Sequence, residues 1–257
     1  MKPAPFAYER PQSLAEACAL LAEGGAKLLA GGQSLGPMLN LRLVQPEMLV
    51  DLGGLAELKA SERLGDGVRL GALVTHAQIE DGRAPDPTGG ILPRVASGIA
   101  YRAIRNRGTL GGSLAHADPA ADWLTVLAAL GATVIARGAD GERRIAVAAL
   151  ATGAFETVLG EAEILAAVEI PAVSAEARWG YVKLARKPGE FADAMAAVFR
   201  DPGRGVSRAV IGATHGPPMM FEDFSEAALA EAFVRFDPVE RRLYRAALAR
   251  AVAEADA

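Results

Sequence analysis

The stretch from Arg105 to Trp123 reads R-N-R-G-T-L-G-G-S-L-A-H-A-D-P-A-A-D-W. Its three glycines allow backbone angles that a side chain would forbid, so main-chain amides can turn inward at this point. Asp118-Pro119 then predicts the start of a helix that runs to Leu130 and holds Asp122 in its first turn. A loop of this kind suits the oxygens of a phosphate group.

An earlier stretch, A-G-G-Q-S-L-G from Ala30 to Gly36, follows a predicted strand and has the same ingredients. Each stretch combines glycines with a hydroxyl group, from Ser34 in the first and from Thr109 and Ser113 in the second, and neither contains a lysine. Oriented backbone N–H groups can hold a diphosphate without lysine, so the two stretches predict the halves of one clamp. Either stretch alone is weak support for a diphosphate site, because paired glycines more often mark an ordinary tight turn.

Composition excludes several classes of protein. The 257 residues are 51% hydrophobic and carry a net charge of −4, with acids and bases interspersed, which is not the footprint of a nucleic-acid-binding surface. Cys18 is the one cysteine, so a disulfide framework, a cysteine zinc site and an iron–sulfur cluster are excluded within this chain. The N-terminus lacks a signal-peptide core and no uncharged apolar run is long enough for a bilayer, which predicts a cytoplasmic protein without membrane insertion.

The order of predicted elements favours an α+β fold. Short strands and helices alternate irregularly from the capping box Ser13-x-x-Glu16 to a strand at 163–170, without a sustained run of βαβ units. The composition changes near Pro171 to Ala177, which indicates a boundary. Beyond it we expect three strands, a type II turn at Lys187-Pro188-Gly189 and two closing helices.

The remaining candidate side chains have ordinary structural interpretations. Cys18 lies on the apolar stripe of the first helix, so we expect a core residue, and we expect His76 to be solvated or in the core. His215, in a Gly/Pro loop, is expected to be structural or exposed. Three arginines fit a solvated basic face and a place near an anion equally well: Arg102, Arg105 and Arg107.

Two common nucleotide signatures are missing from the sequence. It contains no G-x-G-x-x-G after a strand, and the P-loop spacing of Gly31 to Gly36 is followed by Pro37-Met38 instead of Lys-Ser/Thr. A Rossmann or P-loop interpretation is therefore unsupported. We also find no metal-ligand spacing and no poised nucleophile or acid–base pair, so we expect neither a metal site nor a catalytic residue in this chain.

Four motifs, in order along nearly the whole chain, resemble a known family. They are A-G-G-Q-S-L-x-P at 30–37, R-x-x-G-T-L-G-G-S-x-x-H-A-D-P-A-A-D at 105–122, E-I-L-x-x-x-E-I-P at 163–171 and K-L-A-R-K-x-G-E-F-A at 183–192. Together they resemble the FAD-binding medium subunit of molybdenum hydroxylases, the relatives of carbon monoxide dehydrogenase and xanthine dehydrogenase. The segment after Gly212 matches the family less closely, and the chain lacks the cysteine cluster that some relatives insert.

The resemblance implies a fold and a domain organisation. The fold is the FAD-binding type of vanillyl-alcohol oxidases, also called PCMH-type, followed by a small α+β C-terminal domain. In this chain it implies an FAD-binding domain at 1–174, with subdomains at about 1–54 and 55–174, and a C-terminal domain at 175–257.

The resemblance also implies a set of cofactor-binding residues. The two glycine stretches would cradle the pyrophosphate of a non-covalent FAD, Asp122 would meet the ribitol or ribose, Leu165 would pack near the adenine or flavin, and Lys183 would approach the isoalloxazine. Asp122 has the alternative of complementing its helix N-terminus, and His116 either contacts FAD or satisfies backbone groups. The stretches contribute Ala30, Gly31, Gly32, Gln33, Ser34 and Leu35, then Thr109, Leu110, Gly111, Gly112 and Ser113.

The implied function is electron transfer within a larger complex. A molybdenum-binding large subunit with Mo-pterin would oxidise the substrate, a small subunit would carry two [2Fe-2S] clusters, and FAD in this chain would pass electrons to an external acceptor. The resemblance further implies a dimer of heterotrimers. The alternatives are a self-contained flavoenzyme, such as a small reductase or oxidase with the same FAD fold, and a binding protein without FAD.

Overall fold

The structure is a computed structural model that describes the backbone of residues 1–257 and all side chains except those of Glu226 and Ala227. Helices and strands are mixed along the chain, as the α+β prediction requires. The helices are α1 Leu14–Ala22, α2 Leu35–Asn40, α3 His76–Glu80, α4 Ile91–Ser97, α5 Arg102–Arg105, α6 Leu110–His116, α7 Asp122–Leu130, α8 Glu226–Ala232 and α9 Pro238–Ala255. The strands are β1 Ala7–Glu9, β2 Ala26–Leu29, β3 Met48–Asp51, β4 Ser61–Leu64, β5 Gly67–Gly71, β6 Thr133–Gly138, β7 Gly141–Ala146, β8 Ala151–Gly153, β9 Glu156–Thr157, β10 Ile164–Pro171, β11 Arg178–Leu184, β12 Ala194–Asp201, β13 Val206–Gly212 and β14 Met219–Phe221.

The first sheet is parallel, with strand order β1-β3-β2. Helix α1 connects β1 to β2, and the hydroxyl of Ser13 caps it by accepting from the amide of Glu16 at 3.1 Å. The Glu16 carboxylate accepts from the amide of Gln12 instead of Ser13, so the predicted capping box forms only in part. Cys18 is buried on the inner face of α1, which confirms it as a core residue.

The second sheet has five antiparallel strands in the order β4-β5-β10-β6-β7. Helix α7 covers it, and all 9 residues of that helix are buried. The helix begins at Asp122 and not at Pro119 as predicted, because 118–121 form a turn in which the amide of Ala121 donates to the carbonyl of Asp118 at 2.9 Å. A helix this apolar on every side must have a partner on its other face as well.

That partner is the third sheet, an antiparallel meander of β11, β12, β13 and β14. Helix α7 packs on β12 and β13, and α9 packs on β11 and β12. The predicted turn between β11 and β12 is confirmed as type II, because the amide of Glu190 donates to the carbonyl of Lys187 at 3.2 Å and Gly189 has φ +83°. Among the described helices, none combines the length and apolarity that crossing a membrane requires.

The predicted glycine loop at 109–113 is mostly helix, which is a correction to the sequence analysis. Thr109 caps α6 by accepting from the amide of Gly112 at 3.1 Å. A Cβ on Gly111 would lie 2.7 Å from the Cα of Ala72, so only glycine lets α6 pack this closely on the neighbouring segment. Tertiary packing therefore outweighs the poor helix propensity of glycine at this position.

The contact of β11 with α9 gives a first prediction. A Cβ on Gly180 would lie 2.9 Å from the carbonyl carbon of Ala251 and 3.0 Å from the amide of Ala255, whereas one on Gly65 meets nothing within 4 Å. We expect Gly180→Ala to lower the free energy of unfolding by about 2 kcal/mol, because α9 must move away from the sheet. Gly65→Ala is the control and should change it by less than about 0.5 kcal/mol in urea denaturation. Equal effects of the two substitutions would contradict this account of the α9 interface.

Candidate functional site

The two glycine stretches, far apart in sequence, lie against each other. A Cβ on Gly31 would overlap the carbonyl oxygen of Arg107 and lie 2.7 Å from its carbonyl carbon, so the two backbones touch with no room for a side chain. The Cβ position of Gly112 is 3.5 Å from the Cβ of Ala30. The structure therefore brings together the two stretches that the sequence analysis paired, and we call them the first and second walls of a cradle: 30–36 and 108–113.

The first wall offers unused backbone donors. Among the described residues, no acceptor is found for the amides of Gly31, Gly32, Gln33 and Ser34. These residues are half-buried or exposed, so a ligand can reach them, and a Cβ on Gly36, whose amide donates to the Gly32 carbonyl at 2.9 Å, would meet nothing within 4 Å. Successive free amides around a turn with a positive-φ glycine, here Gly32 at +71°, form a concave donor site that suits phosphate oxygens.

The second wall does not offer the backbone donors that the sequence analysis expected. The amide of Leu110 donates to the carbonyl of Val74 at 2.9 Å, and that of Gly111 to the carbonyl of Ala72 at 2.9 Å. The amides of Gly112 and Ser113 donate to Thr109, at 3.1 and 3.0 Å. The prediction that this stretch presents a row of free N–H groups is wrong, because the amides of 110–113 are all used within the protein. Its glycines serve close packing, and the groups left for a ligand are side chains such as the Ser113 hydroxyl.

The three arginines near the cradle differ in their surroundings. Arg105, with its side chain 11% exposed, makes two hydrogen bonds of 2.8 Å to Glu80, and Arg102 binds Glu80 and Asp81. Both guanidinium groups are thereby neutralised, and the hydrogen bonds from the arginines lower the pKa of both carboxyl groups. Arg107 makes no ion pair with a described residue and places its Nε 3.4 Å from the carbonyl oxygen of Gly31. Of the three arginines, Arg107 alone contacts the first wall and has no carboxylate partner among the described residues.

Asp122 lies at the start of α7 in a buried polar cluster. Its side chain is 5% exposed, and its carboxylate accepts from the Lys183 ammonium at 3.0 and 3.1 Å and from the Tyr181 hydroxyl at 2.7 Å. The structure thus brings together two predicted site residues, 61 positions apart, as an ion pair. Burial, followed by the Asp122 charge, raises the pKa of Tyr181 well above its usual value, so the phenol stays protonated as a donor. Sequence reasoning missed Tyr181, although its place two residues before Lys183 on one face of a strand could have indicated it.

His76 is a core residue, which decides between the two predicted alternatives. Its Nδ1 accepts from the indole Nε1 of Trp123 at 3.1 Å, and its amide donates to the carbonyl of Gly108 at 3.0 Å. Burial, and then the positive charge of Arg105, lower the pKa of His76 to about 4. The imidazole is therefore neutral at ordinary pH, and its Nδ1 remains an acceptor.

The other candidates have less distinctive surroundings. His116 is half-buried, with its ring 5.1 Å from that of Phe155, and burial lowers its pKa. Leu165 is 5% exposed within the main core, so the protein already covers most of its side chain. His215 is exposed, as expected, and its Nε2 lies 2.7 Å from the Glu240 carboxylate.

Comparison with known proteins identifies the class. Residues 4–173 match the family described as the FAD binding domain in molybdopterin dehydrogenase. The chain belongs to this family, whose members include the FAD-binding medium subunits of molybdenum hydroxylases, and it is an oxidoreductase subunit.

Curated relatives and solved structures agree with this assignment. The chain is 41% identical over 199 residues to the nicotine 6-hydroxylase medium subunit of Paenarthrobacter nicotinovorans, covering 77% of this chain and 70% of the relative. It is 37% identical over 221 residues to the carbon monoxide dehydrogenase medium chain of Hydrogenophaga pseudoflava, covering 85% and 77%. A chain in a structure of carbon monoxide dehydrogenase from Hydrogenophaga pseudoflava superposes with a TM-score of 0.90 at 30% identity, over 99% of this chain and 98% of that one. A chain of quinoline 2-oxidoreductase from Pseudomonas putida 86 superposes with a TM-score of 0.86 at 32% identity, over 99% and 98%.

The buried ion pair gives the second prediction. Lys183→Met removes the cation and leaves the buried Asp122 carboxylate with only the Tyr181 hydroxyl, which should lower the free energy of unfolding by about 3–5 kcal/mol. The double variant Asp122→Asn, Lys183→Met should recover at least half of that loss, because no unpaired charge remains. Lys187→Met, at an exposed position on the same segment, is the matched control. Urea denaturation without FAD provides the measurement, and similar stability of the two methionine variants would show that the pair contributes little.

Proposed function

We propose that this chain is the FAD-carrying electron-transfer subunit of a heterotrimeric molybdenum hydroxylase. The observation that carries the proposal is the row of four unused amides at 31–34 in a chain that belongs to an FAD-binding family. When bound, FAD supplies the redox chemistry, accepting electrons from one partner and releasing them to another. The residues of this chain bind and orient the cofactor.

The two walls hold the diphosphate in different ways. The amides of 31–34 have no acceptor among the described residues and suit its oxygens, and the exposed Ser34 adds its hydroxyl. The second wall supplies shape, because the glycines at 111 and 112 let α6 approach, and it adds the Ser113 hydroxyl. Arg107 contributes a positive charge beside Gly31. We propose that the residues at 30–35 and 109–113 bind the cofactor, and that the first wall supplies the row of unused amides.

The Asp122–Lys183 pair is proposed to lie against the more polar parts of FAD. Asp122 holds the Lys183 ammonium in one place through two contacts of 3.0 and 3.1 Å, which reduces the side-chain freedom that binding would otherwise remove. Because the carboxylate balances the ammonium, a bound group next to them meets an oriented dipole and not an isolated cation. We propose that Lys183 faces the isoalloxazine and Asp122 the ribitol or ribose. We also propose that Leu165 and His116 contact the bound FAD.

The partners and the domain organisation are also proposed. The two curated relatives above are a medium subunit and a medium chain, which supports partners in the form of a large molybdenum-binding subunit and a small subunit with [2Fe-2S] clusters. We further propose a dimer of heterotrimers in the cytoplasm, as the resemblance implies. The sheets support a PCMH-type division, since the parallel sheet lies within about 1–54, the five-stranded sheet and the β8–β9 pair lie within 55–174, and the four-stranded meander lies within 175–257.

The third prediction tests the diphosphate cradle through its charge. The isolated chain should bind about one FAD and should bind FMN far more weakly, because the cradle is proposed to hold two phosphates. Gly36→Glu places a negative side chain in the open space beside the free amides, and it should raise the Kd for FAD roughly five- to tenfold at low salt.

Gly36→Gln is the matched control, with nearly the same shape and no charge, and fluorescence titration of the flavin measures both variants. The difference between them should shrink as salt is added, because the charges are partly exposed. If both variants bind FAD equally at low salt, the diphosphate lies elsewhere.

The fourth prediction tests dependence on partners. The isolated chain with FAD should be reduced by dithionite and yet should not turn over hydroxylase substrates such as purines, aldehydes or carbon monoxide. Turnover should appear only when the molybdenum and iron–sulfur subunits are both present, because electrons reach this chain through them. Steady-state assays of the chain, of each pair and of the full complex make the measurement. Turnover by the isolated chain would replace this proposal with the self-contained flavoenzyme.

A further inference from the structure

His76 is a buried titratable group that the proposed function leaves without a task. Its side chain is enclosed, and its ring lies beside Gly108, the first residue of the second wall. A Cβ on Gly108 would be 2.9 Å from Cδ2 and 3.0 Å from Nε2 of this ring. The imidazole ring therefore limits how closely the backbone at Gly108 can approach the core.

The backbone around Gly108 has a neighbour on each side. Gly31 of the first wall packs on the Arg107–Gly108 peptide, with the Gly31 Cβ position 3.0 Å from the Cα of Gly108. His76 also contacts Gly108, through its ring and through its amide, which donates to the Gly108 carbonyl at 3.0 Å. Gly31 on one side and His76 on the other thus determine the position of the Arg107–Gly108 peptide.

The segment that carries His76 runs along the second wall. Thr75 and Thr109 form an antiparallel bridge, and the amides of Leu110 and Gly111 donate to carbonyls of the segment at 72–74. His76 is placed where this pairing ends. A displacement of its ring would therefore be transmitted directly to the start of α6.

The other side of the ring reaches the start of α7. The indole of Trp123 is fully buried and donates to Nδ1 of His76 at 3.1 Å, and Trp123 follows Asp122 directly. One imidazole thus contacts both the turn that enters the second wall and the helix that carries the Asp122 carboxylate.

We propose that His76 is a positioning residue for the cofactor site, which sets the distance between the second wall of the cradle and the start of α7. The inference rests on the proposed function, because it assumes that the cradle binds the diphosphate of FAD. It assigns a role in cofactor affinity to a residue outside the four motifs at 30–37, 105–122, 163–171 and 183–192.

The chemistry of the site favours histidine at this position. An apolar side chain of similar size would fill the space but would leave the buried indole N–H without an acceptor, which is costly in a dry core. A protonated imidazole would lose its acceptor at Nδ1. Burial and Arg105, with its guanidinium held by Glu80, keep the ring neutral.

The experiment compares FAD with ADP, which carries the diphosphate and lacks the flavin. In His76→Phe the acceptor is lost, and the Kd for both ligands should rise by roughly tenfold or more. His76→Asn places an amide oxygen near the position of Nδ1 and should bind both ligands within about threefold of the wild type. Trp123→Phe removes the donor, so adding His76→Phe to it should weaken binding less than His76→Phe does alone.

Titrations are made well below the thermal midpoint of each apo variant, so that lost stability does not enter the Kd. A lower midpoint with unchanged Kd for FAD and ADP would make His76 an ordinary core residue and overturn the proposal. Weakened FAD binding with unchanged ADP binding would also overturn it, because the diphosphate cradle would then be intact. If His76→Phe fails to fold, His76→Asn and Trp123→Phe are compared instead. The proposal then requires that Trp123→Phe weaken the binding of both FAD and ADP and that His76→Asn weaken neither. A wild-type chain that binds neither ligand contradicts the proposed function itself.

Discussion

The contact between Gly31 and the Arg107–Gly108 peptide is the constraint on which the cradle depends. Two backbone segments, 76 positions apart in sequence, meet with no side chain between them. Each segment begins a short helix, and their closeness determines where the free amides of 31–34 stand relative to α6. Glycine is required here for the approach and not for an unusual backbone angle, since the Cβ of any other residue would overlap the Arg107 carbonyl.

A second constraint is electrostatic and connects the start of α7 to the C-terminal part of the chain. A carboxylate as buried as that of Asp122 needs a cation and further donors, and Lys183 and Tyr181 on one face of β11 supply them. The third sheet is thereby held against α7 by polar contacts as well as by apolar packing. The position of the Lys183 ammonium therefore depends both on β11, which carries the side chain, and on α7, which supplies the Asp122 carboxylate.

The sequence predicted the element types and the pairing of the glycine stretches well, and it failed where tertiary contacts outweigh local preference. The type II turn at 187–190 follows from proline and glycine themselves, so it was predictable. Glycines at 111 and 112 argue against a helix locally, and α6 forms because Thr109 caps it and Ala72 packs on it.

The partners of Arg105 and His76 come from remote segments of the chain. No local pattern could therefore reveal that Arg105 binds Glu80 or that the Trp123 indole donates to the His76 imidazole. The strands at 26–29 and 48–51 were predicted, but β1, with only 3 residues, and the parallel pairing of the three strands were not.

The distance in sequence between Asp122 and Lys183 has a consequence for the order of events during synthesis. On the ribosome, Asp122 emerges well before β11, and the first two sheets consist of strands made before residue 178. A nascent chain at that stage holds the carboxylate without its cation, and α7 has only one of its two sheets. The N-terminal part of the protein therefore cannot reach its final form as it leaves the ribosome. The Asp122–Lys183 pair can therefore form only after β11 has been made.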